Sequence, residues 1–371
     1  MTAAVRPVVT HVISGDLWAG AEVQVFNLCQ ALQSSGEVDV TVVVFNHGVL
    51  HEKLTSLGIP VTLADERKLG SWAIAIAISR HCKRVGSQIV HTHGFKENVL
   101  GIIGKELSRT PASVRTVHGN PEIRLSLTRP DKWIVNKIDL WMSKVRQQAI
   151  IAVSSQLEEK LRTIFPEKVR KIFNFIDVDA LRADCSIPRT GHDDALQCGI
   201  VGRLVPVKRV DLFIDTIELL NKQGVPCRGT IIGAGPLENQ LRARASESQL
   251  THEITFKGFV NPAWPELKAL DALLMTSDHE GLPMTLLEAL ALEVPVIAHN
   301  VGGIPEVLAG GRCGWLVDDH SPAGYAEALQ SMLASPEHAK QKSQTGLEQV
   351  RKLFDRSSQT EKYLTLYQEL C

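Results

Sequence analysis

Two glutamates eight positions apart, Glu280 and Glu288, flank a segment whose residue types are suited to binding an anionic ligand. Gly281 permits a tight turn, and Pro283 suits a helix start, where its missing N–H costs no hydrogen bond. Backbone N–H groups in the first turn of a helix attract anions, helped by the helix dipole. The pattern therefore predicts an anion-binding helix start with a carboxylate on either side.

Carboxylates repel phosphate, so their expected partners are hydroxyl groups on either side of the bound anion. A nucleoside diphosphate sugar has this layout, with sugar hydroxyls at one end, two phosphates in the middle and ribose hydroxyls at the other end. A cationic pair, Arg203 and Lys208, follows the apolar segment 198–201. Cations at the end of a strand can stabilise the charge that builds up on a departing diphosphate.

Glu280-Gly-Leu-Pro-Met-Thr-Leu-Leu-Glu288 resembles the Glu-x7-Glu motif of glycosyltransferase family 4, the retaining GT-B enzymes that use nucleotide sugars. The segment with Arg203 and Lys208 is similar to the Gly-Arg-Leu-x-x-x-Lys element of that family. The resemblance implies that Glu280 holds donor-sugar hydroxyls and that Glu288 holds the ribose. It also implies donor contacts for the residues around the helix start, which are Gly281, Leu282, Met284 and Thr285.

Three further segments are similar to parts of the same family. A glycine-rich turn near the start of the chain resembles its Gly-Gly-Ala-Glu loop, with Ala19 in place of the first glycine and Gly20 as the implied donor contact. His118 matches a histidine that hydrogen-bonds the donor sugar near the reacting carbon. Phe259 and Val260 match a segment that faces the nucleotide base. The resemblance thus implies a catalytic set of His118 with the Arg203, Lys208 and Glu280 group.

Short apolar segments that alternate with longer segments of helical period carry these residues, which predicts parallel sheets covered by helices. The predicted strands are 8–13, 40–45, 88–91, 113–117, 149–153 and 169–173, then 198–201, 229–232, 254–256, 272–275 and 296–298. A polar stretch at 179–197 separates the two groups. We therefore expect an α/β protein of two Rossmann-like, doubly wound domains that face a cleft, the GT-B architecture.

The predicted domain bounds are 1–182 for an acceptor-side domain and 183–356 for a nucleotide-sugar domain. The family resemblance implies that a C-terminal helix, 357–371, packs back on the first domain.

The 371 residues include 40 basic and 41 acidic side chains, and a net charge of −1 does not favour nucleic acid as a partner. Seven scattered cysteines indicate a reducing compartment. No apolar run approaches the ~18 residues of a membrane span, so we expect a cytoplasmic protein. The basic, tryptophan-containing segment 122–146 predicts contact with an anionic membrane surface, a part in the acceptor site, or packing against the first sheet.

Two sequence patterns suggest metal binding only weakly, and we predict neither a metal nor a cofactor. Asp177 and Asp179 have the Asp-x-Asp form of a divalent-metal site, yet they read as the capped start of a helix. His91 and His93 form a possible zinc pair on one strand face, but no third ligand follows at a suitable spacing. The glycine pattern at 233–235 is no dinucleotide fingerprint, and the chain has no phosphate-binding P-loop motif.

The resemblance implies transfer of a sugar, with retention, from a nucleoside diphosphate sugar to a hydroxyl group. UDP is favoured over GDP as the nucleotide. The expected acceptor is a glycan or a lipid-linked molecule in cell-surface polysaccharide biosynthesis. Two alternatives stay open: a sugar-nucleotide epimerase of the same architecture, and a non-catalytic homologue.

Overall fold

The computed structural model describes residues 6–119, 130–185, 195–250 and 252–371, the side chains of 130–136 excepted. The chain divides into two compact units, Met1–Phe175 with Arg356–Cys371, and Ile176–Asp355. Each unit is built on one parallel sheet. Among the described helices, none combines the length and apolar character that crossing a bilayer requires.

The first unit has a seven-stranded parallel sheet in the order β3-β2-β1-β4-β5-β6-β7. Its strands are β1 (Val8–Ile13), β2 (Asp39–Val44), β3 (Val61–Leu63), β4 (Ile89–Thr92), β5 (Ala112–Val117), β6 (Ala149–Ala152) and β7 (Val169–Lys171). The connecting helices are α1 (Gly20–Ser35), α2 (Val49–Ser56), α3 (Ser71–Val85), α4 (Phe95–Ser108), α5 (Pro130–Arg146) and α6 (Ser155–Arg162). The five inner strands, β2, β1, β4, β5 and β6, are almost entirely buried, as expected for a parallel sheet with helices on both faces.

The second unit has a six-stranded parallel sheet in the order β10-β9-β8-β11-β12-β13. Its strands are β8 (Leu196–Val201), β9 (Cys227–Ile232), β10 (Ile254–Gly258), β11 (Ala272–Met275), β12 (Val296–His299) and β13 (Trp315–Val317). Its helices are α7 (Val178–Asp184), α8 (Val210–Lys222), α9 (Glu238–Glu247), α10 (Trp264–Lys268), α11 (Met284–Ala291), α12 (Ile304–Val307), α13 (Pro322–Ala334) and α14 (Pro336–Leu353), with short 3-10 turns at Pro206–Lys208 and Ala309–Gly311.

Both sheets have the strand order of a doubly wound Rossmann-like fold, which confirms the predicted fold class of each unit. In such a sheet the order reverses beside the first strand, and the loops that follow the two strands there diverge and leave room for a ligand. This switch point lies between β1 and β4 in the first unit and between β8 and β11 in the second. Candidate binding residues should therefore follow these strands.

The boundary between the units falls at 175/176, whereas the sequence predicted 182/183. The difference arises because α7 packs against α11 of the second unit. In this contact Arg182 donates a hydrogen bond to the backbone oxygen of Ala291 and pairs with Glu293 at 2.9 Å. Asp177 caps α7 by accepting a hydrogen bond from the Ala180 N–H, as predicted from its position before a helix.

A final helix, α15 (Arg356–Leu370), belongs to the first unit, as predicted, and packs against α1. Tyr363 and Tyr367 of this helix are buried in the core of that unit. Gln359 accepts a hydrogen bond from the backbone N–H of Phe173. These contacts hold the end of the chain on the first sheet.

Candidate functional site

A pocket opens at the carboxyl ends of β8 and β11, which is the switch point of the second sheet. Its polar lining brings together Arg203 and Lys208 from the loop after β8, and Thr276, Ser277 and Glu280 from the loop after β11. Three of the four predicted catalytic residues thus line one pocket within one unit. The cation pair and the carboxylate come from segments about 70 residues apart in sequence.

Lys208 and Glu280 form the central ion pair of this pocket. Lys208 Nζ lies 2.6 Å from Glu280 Oε1, and the two side chains are 24% and 8% exposed. The Ser277 hydroxyl donates a second hydrogen bond of 2.7 Å to the same oxygen. The carboxylate is therefore held in one orientation, and among the described residues its other oxygen accepts no hydrogen bond, so it can accept one from a sugar hydroxyl.

The loop after β11 also fixes the backbone that carries Lys208. The Thr276 hydroxyl lies 2.9 Å from the carbonyl oxygens of both Lys208 and Arg209. The Asp278 N–H donates to the Val207 backbone oxygen at 2.8 Å. Because the two loops are joined directly, the cation and carboxylate are positioned as one group.

A stacked pair of histidines supports the same loop from behind. The rings of His299 and His320 lie 3.8 Å apart, and they bond the backbone oxygens of Ser277 and Thr276 respectively. Burial lowers the pKa of His320, against an opposing effect of nearby Asp278. Sequence reasoning missed these two histidines, because nothing in their spacing links them to the glutamate motif.

Helix α11 begins at Met284, as the sequence predicted, with Pro283 as the residue before it. The Leu282 and Met284 side chains are buried, so a ligand would meet their backbone rather than their side chains. The backbone of Gly302 packs closely against this turn. A Cβ at Gly302, where φ is +64°, would lie 2.0 Å from the backbone carbonyl oxygen of Glu280. Neither these residues nor Gly281 and Thr285 line the pocket itself.

Glu288 lies one turn into α11 and is only partly exposed. Burial raises the pKa of its carboxyl, and a hydrogen bond with the Trp264 side chain acts in the opposite direction. Trp264 begins α10 and had no signal in the sequence. Glu288 does not line the pocket of Lys208 and Glu280, so its role at the ribose stays a prediction.

Phe259 and Val260 follow β10 at the same carboxyl edge of the sheet as the pocket. The Phe259 side chain is 55% exposed, which is unusual for a large apolar ring and leaves it accessible to a partner. The contact of these two residues with a nucleotide base stays a prediction.

In the first unit, Gly20 and His118 occupy loops at the carboxyl edge of the sheet. Gly20 is the exposed first residue of α1, after β1, and His118 directly follows β5. His118 Nε2 lies 3.2 Å from His93 Nδ1. The roles of both residues at a donor stay predictions.

A third histidine, His11 of β1, joins the pair that the sequence singled out as possible zinc ligands. The candidate ligand atoms of His11, His91 and His93 all lie within 4.8 Å of one another. The sequence search missed His11 because it lies on a neighbouring strand rather than downstream. Hydrogen bonds already engage both ring nitrogens of His91 and of His93, so these rings do not present free lone pairs to a metal. That no metal is needed stays a prediction.

Glu22, in the first turn of α1, is a buried carboxyl group. It accepts a hydrogen bond of 3.3 Å from the N–H of Ala19, the N-cap residue of the helix, and so satisfies one backbone donor at the helix start. Burial raises its pKa to about 7, and the carboxylates of Asp16 and Glu97 add to the effect. The folded chain therefore binds more protons here than the unfolded chain between about pH 4.5 and 7, and stability falls as the pH rises through this window.

Glu22→Gln should therefore raise the thermal midpoint at pH 8 by about 5 °C and change it little at pH 5. The amide keeps the capping geometry and removes an ionisation penalty of about 2 kcal/mol at high pH. Differential scanning calorimetry at the two pH values measures the difference. Glu37→Gln, at an exposed glutamate, is the control; an equal shift of Glu22→Gln at both pH values would contradict the explanation.

The basic segment 122–146 lies partly outside the described residues, which resume at the start of α5 with residue 130 and include side chains from 137. Asp139 and Ser143 of α5 are buried and bond Arg115, while Met142 faces the core. Three apolar side chains nevertheless face solvent: Ile138 is 43%, Trp141 60% and Val145 54% exposed. Met142 is buried, whereas the prediction that the apolar residues pack on the sheet is wrong for these three exposed side chains.

The fold and the second-unit pocket define the class of protein. Two Rossmann-like domains, one with a cation pair and a glutamate at its switch point, are the architecture of GT-B glycosyltransferases. The crystal structure of Anabaena HepE in complex with UDP-glucose has this fold: it superposes with a TM-score of 0.81, at 17% identity, over 98% of this chain and 99% of that one.

Family models match both halves of the chain. Residues 18–180 match the model described as Glycosyltransferase Family 4, and residues 188–349 match the model described as Glycosyl transferases group 1. The chain belongs to glycosyltransferase family 4.

Named relatives agree with this assignment. The putative colanic acid biosynthesis glycosyltransferase WcaL of Salmonella typhimurium is 38% identical over 144 residues, which is 36% of this chain and only about a third (34%) of the relative. The UDP-Gal:alpha-D-GlcNAc-diphosphoundecaprenol alpha-1,3-galactosyltransferase of Escherichia coli is 25% identical over 294 residues, 76% of this chain and 75% of the relative.

Proposed function

We propose that this protein transfers a sugar from a nucleoside diphosphate sugar, with UDP as the favoured nucleotide, to a hydroxyl group of a glycan or lipid-linked acceptor. The observation that carries the proposal is the pocket lined by Arg203, Lys208 and Glu280. Cations suit a diphosphate leaving group, and a fixed carboxylate suits sugar hydroxyls. The reaction is proposed to retain the anomeric configuration.

In the proposed reaction, the bond between the anomeric carbon and the diphosphate oxygen breaks, and the electron pair leaves with the diphosphate. Arg203 and Lys208 stabilise this developing charge. The acceptor oxygen forms the new bond to carbon, and its proton passes to the departing phosphate. No protein nucleophile is invoked. Since two cations already line the pocket, we further propose that turnover needs no divalent metal.

Relatives support the choice of substrates. The Escherichia coli relative is named for a UDP-galactose donor and a diphosphoundecaprenol-linked acceptor, and the Salmonella relative for colanic acid biosynthesis. The structural neighbour from Anabaena holds UDP-glucose. We therefore propose a role in cell-surface polysaccharide biosynthesis with a lipid-linked or glycan acceptor.

A panel of UDP- and GDP-sugars tests the proposal. A ligand that binds only the folded state raises the thermal midpoint, so the donor should produce the largest rise, and UDP-sugars should exceed GDP-sugars. The selected donor, a polyprenyl diphosphate sugar acceptor and EDTA should then yield a product whose anomeric configuration NMR reports. Donor consumed equally without acceptor would indicate an epimerase, and neither binding nor turnover would indicate a non-catalytic homologue.

We also propose that helix α5 docks on an anionic membrane surface. Ile138, Trp141 and Val145 are spaced three and four residues apart, so they lie on one helix face. Exposed Lys137 and Lys144 flank this face and suit anionic headgroups. A lipid-linked acceptor would be reached from such a surface.

Trp141→Ser should weaken binding to vesicles that contain phosphatidylglycerol by about tenfold. An aromatic side chain contributes roughly 1.5–3 kcal/mol when it is fully buried in an apolar environment. Co-sedimentation measures the affinity. Trp72→Ser is the matched control, because Trp72 is 61% exposed on another helix of the same unit. Equal losses for both variants, or equal binding to neutral phosphatidylcholine vesicles, would contradict the docking surface.

A further inference from the structure

Three histidines of the first unit are joined into one chain of hydrogen bonds. His93 Nε2 lies 2.9 Å from His11 Nδ1, and His93 Nδ1 lies 3.2 Å from His118 Nε2. His11 is part of β1, while His93 and His118 directly follow β4 and β5. Because these three strands are neighbours in the sheet, the imidazoles line up across its carboxyl half, and the chain ends at His118.

The two ends of the chain are open. His11 Nε2 and His118 Nδ1 are buried atoms without a hydrogen-bond partner in the part of the chain that the structure describes. His11 is fully buried, whereas His118 keeps part of its surface exposed in the loop after β5. Of the two ends of the histidine chain, His118 is therefore the one that lies close to solvent, and a ligand would meet the chain there.

Burial keeps these rings neutral. It lowers the pKa of His11 to about 3 and that of His118 to about 4, and it lowers the pKa of His93 well below its usual value. A neutral imidazole has one N–H donor and one acceptor nitrogen. Each ring in the chain must therefore donate on one side and accept on the other.

This constraint couples the three tautomers. If His118 carries its proton on Nε2, then His93 and His11 must also be Nε2–H; if His118 is Nδ1–H, the other two must follow. A mixed arrangement would set two N–H groups or two lone pairs against each other in a buried site, which is costly. Whether the open nitrogen of His118 donates or accepts is thus decided jointly by all three rings.

His91 packs against the ring of His93 but forms no hydrogen bond with the three histidines of the chain. Its two nitrogens bond the Tyr367 and Thr116 hydroxyl groups at 2.7 and 2.8 Å, and its ring centre lies 4.3 Å from that of His93. Tyr367 is contributed by α15. The final helix therefore helps to hold His93 in the orientation that the chain requires.

We propose that His11 and His93 are positioning residues that fix the ring orientation and the tautomer of His118. The open nitrogen of His118 then presents one defined hydrogen-bonding character to a ligand. The coupling stands on the geometry of the first unit alone, and only its consequence for turnover rests on the proposed function.

The wild-type protein provides the first test. In the full-length chain labelled with ¹⁵N-histidine, long-range ¹H–¹⁵N correlation spectra report which ring nitrogen carries the proton. Single substitutions assign the signals. We expect His11, His93 and His118 to show the same tautomer at pH 7.5. Two different tautomers among the three would overturn the proposal, whatever the variants do.

Replacing His11, at the buried end of the histidine chain, provides the second test. His11→Phe should change the nitrogen shifts of His118, although in the structure His11 bonds His93 and not His118. His81→Phe is the matched control, because His81 is a buried histidine of the same unit that bonds Thr41 and Thr62 instead. Unchanged His118 shifts in a folded His11→Phe variant would overturn the coupling.

His93 distinguishes positioning from a merely structural role. His93→Phe removes the link to His118, whereas His93→Gln keeps one donor and one acceptor, so the His118 shifts should move in the first variant and largely return in the second. With a donor found, His11→Phe should lower kcat about tenfold at nearly constant KM. If no nucleotide sugar is turned over, the proposed function fails while the NMR result still decides the coupling. Equal ¹⁵N chemical shifts of His118 in His93→Phe and His93→Gln would contradict the coupling of the three histidines through hydrogen bonds.

Discussion

Lys208→Met should lower kcat for sugar transfer by about two to three orders of magnitude, with a much smaller change in KM. The ammonium group lies in the pocket at the switch point of the second sheet, 2.6 Å from Glu280. In the proposed reaction it stabilises charge that appears only as the diphosphate departs, so its loss acts on the transition state more than on the bound donor. Removing a single preorganised group of this kind typically costs 10²–10³ in rate.

A second lysine of the same unit provides a close control for this variant. Lys222 also pairs with a glutamate at 2.6 Å, but it is 69% exposed on α8. Lys222→Met should leave kcat unchanged. Thermal midpoints for both variants check that Glu280, left without its cation, does not unfold the loop. A kcat within threefold of wild type for a folded Lys208→Met protein would show that Lys208 does not act on the leaving group.

Glu288→Ala should weaken the binding of free UDP by at least tenfold. A hydrogen bond to a charged group contributes about 1.5–3 kcal/mol, and a ribose held by a carboxylate would lose it. Calorimetric titration with UDP measures the affinity without any turnover. This prediction therefore separates the ribose assignment from the proposed role of Lys208.

Variants of Trp264 and Glu293 provide comparisons for the Glu288→Ala experiment. Trp264→Phe removes the indole N–H that lowers the pKa of the Glu288 carboxyl group, and it should weaken UDP binding less than Glu288→Ala does. Glu293→Ala removes a carboxylate just beyond the same helix, one that pairs with Arg182, and should leave UDP binding unchanged. Wild-type affinity in the Glu288→Ala variant would mean that this residue does not hold the ribose.

The sequence predicted most of the strands because a buried strand appears in the sequence as a short run of apolar residues. Eleven of the thirteen described strands overlap apolar segments that the residue pattern indicated, and Val8–Ile13 and Ala272–Met275 match in both bounds. The two missed strands, Val61–Leu63 and Trp315–Val317, each have three residues and lie at a sheet edge. Three residues are too few to show the alternation or the length by which an apolar run is assigned to a strand.

The start of the candidate site was also readable from sequence. Gly281 and Pro283 between the two glutamates predicted a turn and a helix beginning near Met284, and α11 begins at that residue. These features depend on local backbone conformation, which residue types determine over a few positions.

Only the tertiary structure decided which distant residues meet. The order β8-β11 sets Lys208 against Glu280, 72 positions later, and the order β1-β4-β5 aligns His11, His93 and His118. The sequence pattern contained each of these residues but not the pairing, so the third histidine beside His91 and His93 was missed. The physical reason is that periodicity records whether a residue is buried, whereas contacts between strands depend on how the crossover connections order them in the sheet.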